Sequence, residues 1–198
     1  MKSKPDAPAT QRNKRPILDI LKREIQDSSE ILEIGSGTGQ HAIFFAEKMP
    51  WITWQTSDVI SNHTGINQWL ETFKGSNIKA PLELEIGHDQ LNTTLRFNHV
   101  YSSNTAHIMS YSSVIKMFAM IALILPKGGK FFLYGPFNIE NKYTSNSNQE
   151  FDAMLKEKSS AMGIRNIEDL DLLAKQGGLR KYKFYNMPAK NYLSIWRK

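Results

Sequence analysis

The chain of 198 residues contains no cysteine, which excludes disulfide bridges and thiolate chemistry. No stretch approaches the roughly 18 consecutive apolar residues that a membrane-spanning helix requires. The first residues carry charge and proline without an apolar core, which is not the pattern of a secretory signal. With 40% hydrophobic and 22% charged residues, the sequence indicates a globular protein without a membrane anchor, and we expect it in the cytoplasm.

Acidic residues are scarce at both ends of the chain. Residues 1–16 contain five Lys or Arg and one Asp, and residues 172–198 contain seven Lys or Arg and no acid. The net charge of the whole chain is only +6, so the interior is acidic. Clustered basic residues usually solvate an outer surface, but they also suit a phosphate-bearing partner such as nucleic acid.

Short apolar runs alternate with segments of helical periodicity along most of the chain. Residues 1–15 are predicted to form a basic extended arm, and residues 16–198 a single domain whose first helix begins at Pro16. The predicted strands are EILEIG, WITWQTSD, PLELEI, NHVYSSN and KFFLYG, followed by an antiparallel hairpin of KYKFYNM and NYLSIW. This pattern predicts an α/β fold with a doubly wound, mostly parallel seven-stranded sheet that ends in an antiparallel hairpin.

Ligands of such sheets bind beyond the carboxyl ends of the strands, where the stretch ILEIGSGTGQ follows the first strand. A phosphate loop requires Gly-Lys-Ser/Thr, but this turn contains no lysine. A dinucleotide fingerprint requires a third glycine at the position of Gln40 or Ala42. Both common phosphate-binding sites are therefore disfavoured.

Acidic side chains before and after this turn favour a cationic ligand without phosphate. Glu33 precedes the glycines and suits the cationic methionine part of S-adenosylmethionine. Asp58 ends the second strand, 19 residues after Gly39, where a carboxylate can accept hydrogen bonds from ribose hydroxyls. The alternative role of Asp58 is to cap the following helix.

The pattern E-x-G-x-G-x-G resembles the first motif of class I S-adenosylmethionine-dependent methyltransferases and implies their Rossmann-like fold. After the third strand, Glu85 or Asp89 is expected to meet the adenine amino group, and Ile86 to pack on the adenine face. The resemblance implies that Asn104, after the fourth strand, lies near the methyl group. The expected cofactor-binding residues are Glu33, Gly35, Ser36, Gly37, Gly39, Asp58, Glu85, Ile86 and Asn104.

Further stretches resemble a widespread family of small methyltransferase-like proteins of largely unassigned function, often described only as a domain of unknown function. These stretches are RNKRPIL, LEIGSGTGQHAIFFA, WQTSD, NTAHIMSY, LYGPF, TSNSNQEFD, MGIRNIEDL and MPAKNYLSIWR. They extend from about residue 11 to the end of the sequence. The sequence departs from the family in KSSAMGIR, which lacks a tryptophan, and at residues 104–106.

The resulting hypothesis is a methyltransferase that acts on a small-molecule acceptor. Methyl transfer requires alignment of the reacting atoms, and a base only where the nucleophile must lose a proton. The candidate catalytic residues are His107, Asn104 and Tyr134, although His107 equally suits a helix-capping role. Arg12 and its neighbours in the arm either fold over the cofactor carboxylate or remain idle.

Two alternatives stay open at this stage. The basic ends suit a nucleic-acid methyltransferase, or the fold binds the cofactor without transferring a methyl group. No metal is expected, because the five histidines lack the close pairing that is typical of zinc sites.

Overall fold

The computed structural model describes residues 4–88 and 95–198 of the chain. Its strands are β1 (Ser29–Ile34), β2 (Ile52–Asp58), β3 (Ile78–Glu83), β4 (His99–Ser103), β5 (Lys130–Gly135), β6 (Phe137–Asn138), β7 (Arg165–Asn166), β8 (Arg180–Met187) and β9 (Asn191–Arg197). Its helices are α1 (Pro8–Glu24), α2 (Gln40–Lys48), α3 (Ile60–Leu70), α4 (Tyr111–Ile124), α5 (Asn146–Lys158) and α6 (Ile167–Gln176). A short 3-10 turn, Pro188–Lys190, joins β8 to β9.

Seven of these strands form one sheet in the order β3-β2-β1-β4-β5-β9-β8. Strands β1 to β5 are mutually parallel, and β9 lies antiparallel between β5 and β8. The predicted mostly parallel sheet with an antiparallel hairpin is therefore confirmed. The chain proceeds outward from β1 to β3 on one side and from β4 to β5 on the other, so the topological switch point lies between β1 and β4.

Helices cover both faces of the sheet, which explains why its central strands are almost wholly apolar. Leu32 and Ile34 of β1 belong to the core beneath α4 and α6. Ile31, one residue along, belongs to the core beneath α1 and α2. Side chains alternate between the faces of a strand, so Glu33 shares the face of Ile31. An acidic side chain therefore lies inside an otherwise apolar layer.

The predicted extended arm is wrong from residue 8 onward, because α1 begins at Pro8 and continues through Pro16. Proline at the first turn of a helix lacks only an N–H that would be unpaired there, whereas Pro16 removes one internal hydrogen bond. Contacts with residues distant in sequence hold the segment that leads into α1. The indole of Trp69 donates to the carbonyl of Pro5 at 2.7 Å, and the amide of Ala7 donates to the Gln40 side chain at 2.7 Å.

Glu24, the last residue of α1, is buried next to Lys130, the first residue of β5. Its carboxylate accepts hydrogen bonds from Lys130 Nζ at 2.9 Å, Lys183 Nζ at 2.7 Å and the Tyr185 hydroxyl at 2.9 Å. Burial by itself raises the pKa of Glu24, but these hydrogen bonds outweigh it and lower the pKa to about 2. The cluster therefore attaches α1 to β5 and β8 through charge.

Replacing Glu24 by glutamine should lower the free energy of unfolding by roughly 1 to 2 kcal/mol at pH 7, because two ammonium groups lose their partner while Lys183 stays partly solvated. The folded pKa lies below the ordinary 4.5, so this stabilisation is present above about pH 4.5 and is lost as the pH falls toward 2. Urea denaturation at pH 7 and pH 3 measures both effects. Glu47→Gln, in an exposed pair with Lys48, is the control and should change little.

Candidate functional site

The turn between β1 and α2 depends on glycine at three positions. Gly35, Gly37 and Gly39 have φ values of +73°, +59° and +84°, a region that other residues rarely adopt. A Cβ on Gly35 would lie 2.6 Å from Cγ2 of Thr105, and one on Gly39 would lie 3.3 Å from Cα of Ile66. A Cβ on Gly37 would meet nothing within 4 Å. The turn is thus tightly packed at its two ends and open at its centre.

Asp58, at the end of β2, holds the centre of this turn. One carboxylate oxygen accepts from the amide of Gly37 at 2.6 Å. The other accepts from the amide of Val59 at 2.8 Å and from the side chain of Asn62 at 2.9 Å. A carboxylate offers about four acceptor positions, so Asp58 retains capacity for a ligand. Its bond to Val59 is a local turn contact rather than the side-chain helix cap considered from the sequence.

A cavity of about 480 Å³, here called the switch-point cavity, opens beside the turn between β1 and β4. Six of the predicted cofactor-binding residues line it: Gly35, Gly37, Asp58, Glu85, Ile86 and Asn104. Sequence reasoning missed the others, which are Ile34, Val59, Asn62, Leu84, Ser103, Thr105, Ile108, Met109 and Ser113. The position of Asn62 in the first turn of α3, only four residues after Asp58, was the one local signal for any of them. Asp89 lies outside the described residues.

Glu33 and Ser36 lie behind the turn and do not line this cavity. Glu33 Oε2 accepts from the Ser36 hydroxyl at 2.8 Å and from the Trp54 indole at 3.0 Å. The Ser36 hydroxyl also accepts from the amide of Ser57 at 3.1 Å. Burial raises the pKa of Glu33 to about 7, against the hydrogen bonds from Trp54 and Ser36, and the charge of Asp58 adds to the rise. Glu33 is therefore a buried support of the turn that titrates near neutral pH.

Asn104 separates the switch-point cavity from a second one. Its backbone has a φ of +59°, in the left-handed region, and its amide donates to the carbonyl of Tyr134 at 2.9 Å. The second cavity, here called the Tyr134 cavity, has a volume of about 200 Å³. It is lined by Ala9, Arg12, Asn13, Asn104, Tyr134, Pro188, Ala189 and Asn191. Two cavities thus meet at one strained residue, a feature that is common at functional sites.

His107 does not line either cavity. Its ring is buried and packs edge-on against Phe151, with ring centres 5.2 Å apart, and its carbonyl accepts from the amide of Gly163. Burial lowers the pKa of His107 to about 4, and the charge of Arg165 adds to this effect. Ser110, rather than His107, caps α4. The structure therefore brings Asn104 and Tyr134 together but leaves His107 in the packing behind them.

Four basic residues near the end of the sequence, Arg180, Lys181, Arg197 and Lys198, lie together at the amino-terminal end of β5, whereas Lys190 lies in the β8–β9 turn beside the Tyr134 cavity. Arg197 of β9 pairs with Lys130, the first residue of β5, whereas Tyr134 lies near the other end of that strand, about 13 Å away. A cleft of about 540 Å³ at this end is lined by Lys127, Gly128, Arg180, Lys181, Tyr182, Arg197 and Lys198. These cations therefore do not contribute to either cavity.

Within residues 4–88 and 95–198, no group of three or more His, Cys, Asp or Glu residues is arranged to hold a metal ion. Nor does any helix within those ranges combine the length and apolar character needed to cross a bilayer.

The model of a family described as a protein of unknown function, DUF938, matches residues 4–198. Among solved structures, the fold is similar to that of an O-methyltransferase family protein from Burkholderia thailandensis, with a TM-score of 0.79, 12% identity and coverage of 93% of this chain and 55% of that protein. It is also similar to human N-acetylserotonin methyltransferase in complex with S-adenosylmethionine, with a TM-score of 0.78, 16% identity and coverage of 96% and 52%.

A third similar structure is a family 2 O-methyltransferase from Planctomyces limnophilus in complex with apigenin, with a TM-score of 0.76, 12% identity and coverage of 93% of this chain and 61% of that protein. At these identities the similarity is one of fold. The chain spans between half and two thirds of the length of these proteins.

Proposed function

The chain belongs to the family of unknown function DUF938, and we propose that it is an S-adenosylmethionine-dependent methyltransferase that acts on a small molecule. The observation that carries this proposal is the meeting of two cavities at Asn104, beyond the carboxyl ends of β1, β4 and β5. One cavity has walls suited to an adenosyl ligand, and the other offers room for a methyl acceptor. The fold of known methyltransferases supports the same conclusion.

The residues of the switch-point cavity fit S-adenosylmethionine. The open side of Gly37 leaves space where a side chain would otherwise stand, so a ligand can approach the backbone. Asp58 has acceptor capacity for ribose hydroxyls, and Leu84 and Ile86 offer apolar surface for adenine. Glu33, behind the turn, supplies negative charge toward a cationic ligand.

When bound, the cofactor supplies an electrophilic methyl group whose bonding pair remains on sulfur as the acceptor's lone pair forms the new bond. The described residues around the Tyr134 cavity include no carboxylate or histidine. Tyr134 is a poor general base, because burial raises the pKa of its phenol and keeps it protonated near neutral pH. The protein therefore acts mainly by alignment, and a proton on the acceptor leaves to solvent.

Replacing Asp58 by alanine should weaken binding of S-adenosylmethionine by roughly 1 to 3 kcal/mol, because hydrogen bonds to ribose and the brace on Gly37 are both lost. Isothermal titration calorimetry of wild type and variant measures this change. Glu83→Ala is the matched control, since Glu83 ends the adjacent strand beside Asp58 but is exposed and outside the cavity. No binding of S-adenosylmethionine by folded wild-type protein would refute the proposed function.

Release of S-adenosylhomocysteine during incubation with a metabolite extract distinguishes transfer from binding alone. Cofactor binding without release would support the non-catalytic alternative. The nucleic-acid alternative requires both basic ends to form one surface around the Tyr134 cavity, but the N-terminal end reaches this cavity through Arg12 while the C-terminal cluster lies at the amino-terminal end of β5. A small molecule is therefore the better supported acceptor.

A further inference from the structure

The Tyr134 cavity has an unbalanced charge. Among the described residues that line it, Arg12 is the one charged residue and none is acidic. Its remaining polar side chains are the amides of Asn13, Asn104 and Asn191 and the phenol of Tyr134. Its polar lining is therefore cationic or neutral, which favours an anionic ligand over a cationic one.

A hydrogen bond between two buried side chains orients one amide of this cavity. Burial lowers the pKa of His41 to about 3, with a smaller contribution from the charge of Lys14, so the ring is neutral. His41 Nε2 lies 2.8 Å from Oδ1 of Asn13, a contact in which the ring nitrogen donates and the amide oxygen accepts. Asn13 itself lines the cavity together with Tyr134.

The direction of this hydrogen bond determines what Asn13 offers to a ligand. Because the amide oxygen of Asn13 accepts from His41, its amide nitrogen remains as a donor, and the phenol hydroxyl of Tyr134 offers a second donor in the same cavity. An amide that already accepts a hydrogen bond is polarised and donates more strongly than an isolated one. A ligand oxygen with negative charge satisfies these donors best.

Arg12 adds a full positive charge beside the same hydroxyl, and its charge opposes the rise in the pKa of Tyr134. Its side chain is exposed, and no residue in the described part of the chain forms an ion pair with it. Arg12 lines the Tyr134 cavity and not the switch-point cavity. Its position thus favours a role toward the acceptor rather than toward the carboxylate of the cofactor.

The opposite wall is held in a strained conformation. Ala189 and Lys190 have φ values of +56° and +54°, which are costly for residues other than glycine. The buried side chain of Asn148 donates to the carbonyl of Lys190 at 3.1 Å and to the hydroxyl of Thr144 at 2.9 Å, and so holds this turn from α5. Strain that distant contacts maintain is typical of a binding wall.

We propose that the Tyr134 cavity recognises a methyl acceptor that carries an oxyanion, a carboxylate or a phosphate, through the guanidinium of Arg12 and the hydroxyl of Tyr134. This inference rests on the proposed function, because it assigns the cavity to the acceptor. It makes Arg12, Asn13 and His41 part of the site, although they lie on helices that also serve the core. His41 acts through Asn13 and is a positioning residue.

The test uses protein saturated with S-adenosylhomocysteine and the probes acetate, benzoate and phenyl phosphate, with neutral benzamide for comparison. Ligand-observed nuclear magnetic resonance gives their dissociation constants. At least one anionic probe should bind at least tenfold more tightly than benzamide. Arg12→Gln should weaken that binding about tenfold, whereas Arg15→Gln, an exposed cation on the same helix outside the cavity, should leave it unchanged.

Tyr134→Phe and His41→Gln separate contact from positioning. Tyr134→Phe should lower the affinity for the anionic probe by several-fold. His41→Gln should lower this affinity less than Tyr134→Phe does, because Asn13 and Tyr134 remain. Thermal unfolding of each variant verifies that the protein is folded.

Several outcomes would overturn the inference while leaving the proposed function intact. One is tight cofactor binding with no detectable binding of any anionic probe. Others are equal affinity for benzoate and benzamide, or unchanged probe binding in Arg12→Gln. A loss of S-adenosylmethionine affinity in Arg12→Gln as large as the loss of probe affinity would assign Arg12 to the cofactor instead. Failure of the wild type to bind S-adenosylmethionine refutes the proposed function itself.

Discussion

Replacing Gly35 by alanine is expected to lower the free energy of unfolding by roughly 2 to 5 kcal/mol. The residue has a φ of +73°, a conformation that costs an L-residue about 1 to 2 kcal/mol. The added Cβ would also lie 2.6 Å from Cγ2 of Thr105, so one of the two must move. Chemical denaturation of the purified variant measures the loss.

Two further variants separate the backbone cost from the contact. Gly37→Ala meets no neighbouring atom within 4 Å and should cost only about 1 to 2 kcal/mol of stability. Thr105→Ser removes Cγ2 but keeps the hydroxyl that bonds to Ser102, so it should recover part of the loss in Gly35→Ala. Equal losses in the two glycine variants, with no recovery by Thr105→Ser, would show that the contact is not the cause.

The stability of the protein should fall by about 3 kcal/mol between pH 4.5 and pH 7 through Glu33 alone. Its pKa rises from the ordinary 4.5 to about 7 in the folded state, because burial penalises the charged form. The folded protein therefore holds this proton more tightly than the unfolded chain does. The stabilisation is complete below about pH 4.5 and is lost as the pH rises through 7.

Glu33→Gln should remove this dependence while its carbonyl oxygen still accepts from Trp54 and Ser36. The measurement is the difference in unfolding free energy between variant and wild type across this range, which cancels the contribution of the buried histidines. Glu83→Gln, at an exposed strand end, is the control. A difference that stays constant with pH would contradict the assigned titration of Glu33.

The proposed binding of S-adenosylmethionine should be coupled to proton release through the same carboxyl. A sulfonium or ammonium bound at the glycine turn lowers the pKa of Glu33, which is about half protonated at pH 7, so binding at that pH should release up to about half a proton. Calorimetry in two buffers of different ionisation enthalpy detects this release. Glu33→Gln should bind without it, and an equal release in variant and wild type would assign the proton to another group.

Most of the sheet could be predicted from the sequence because it depends on local pattern. Short apolar runs separated by helical periodicity leave few arrangements other than a buried parallel sheet. The glycine turn and Asp58 were predictable for a related reason. The carboxyl ends of parallel strands lie side by side, so functional residues that directly follow the strands come close together. Asp58 accordingly accepts a hydrogen bond from the amide of Gly37.

Contacts that join distant segments could not be predicted. The segment just before α1 is bonded to Trp69 and Gln40, which lie 64 and 33 residues from their partners Pro5 and Ala7. Without those contacts, the proline and charge of residues 4–15 indicate an extended arm. Long-range packing overrides local propensity there.

The walls of the Tyr134 cavity come from four separate parts of the chain, so no spacing rule identifies them. His107 illustrates the opposite error. The residue type and its position after β4 suggest a base, but packing against Phe151 buries the ring outside both cavities. Residue chemistry indicates candidates, and only the packing determines which of them a ligand can reach.

The position of β9 has a consequence for how the protein is made. This strand is synthesised after every other strand of the sheet, yet it lies between β5 and β8. Until residues 191–197 leave the ribosome, β5 has an open edge with unpaired backbone groups, and β8 has no partner on which to dock. The nascent chain should therefore expose this edge during translation and complete its sheet only when β9 inserts.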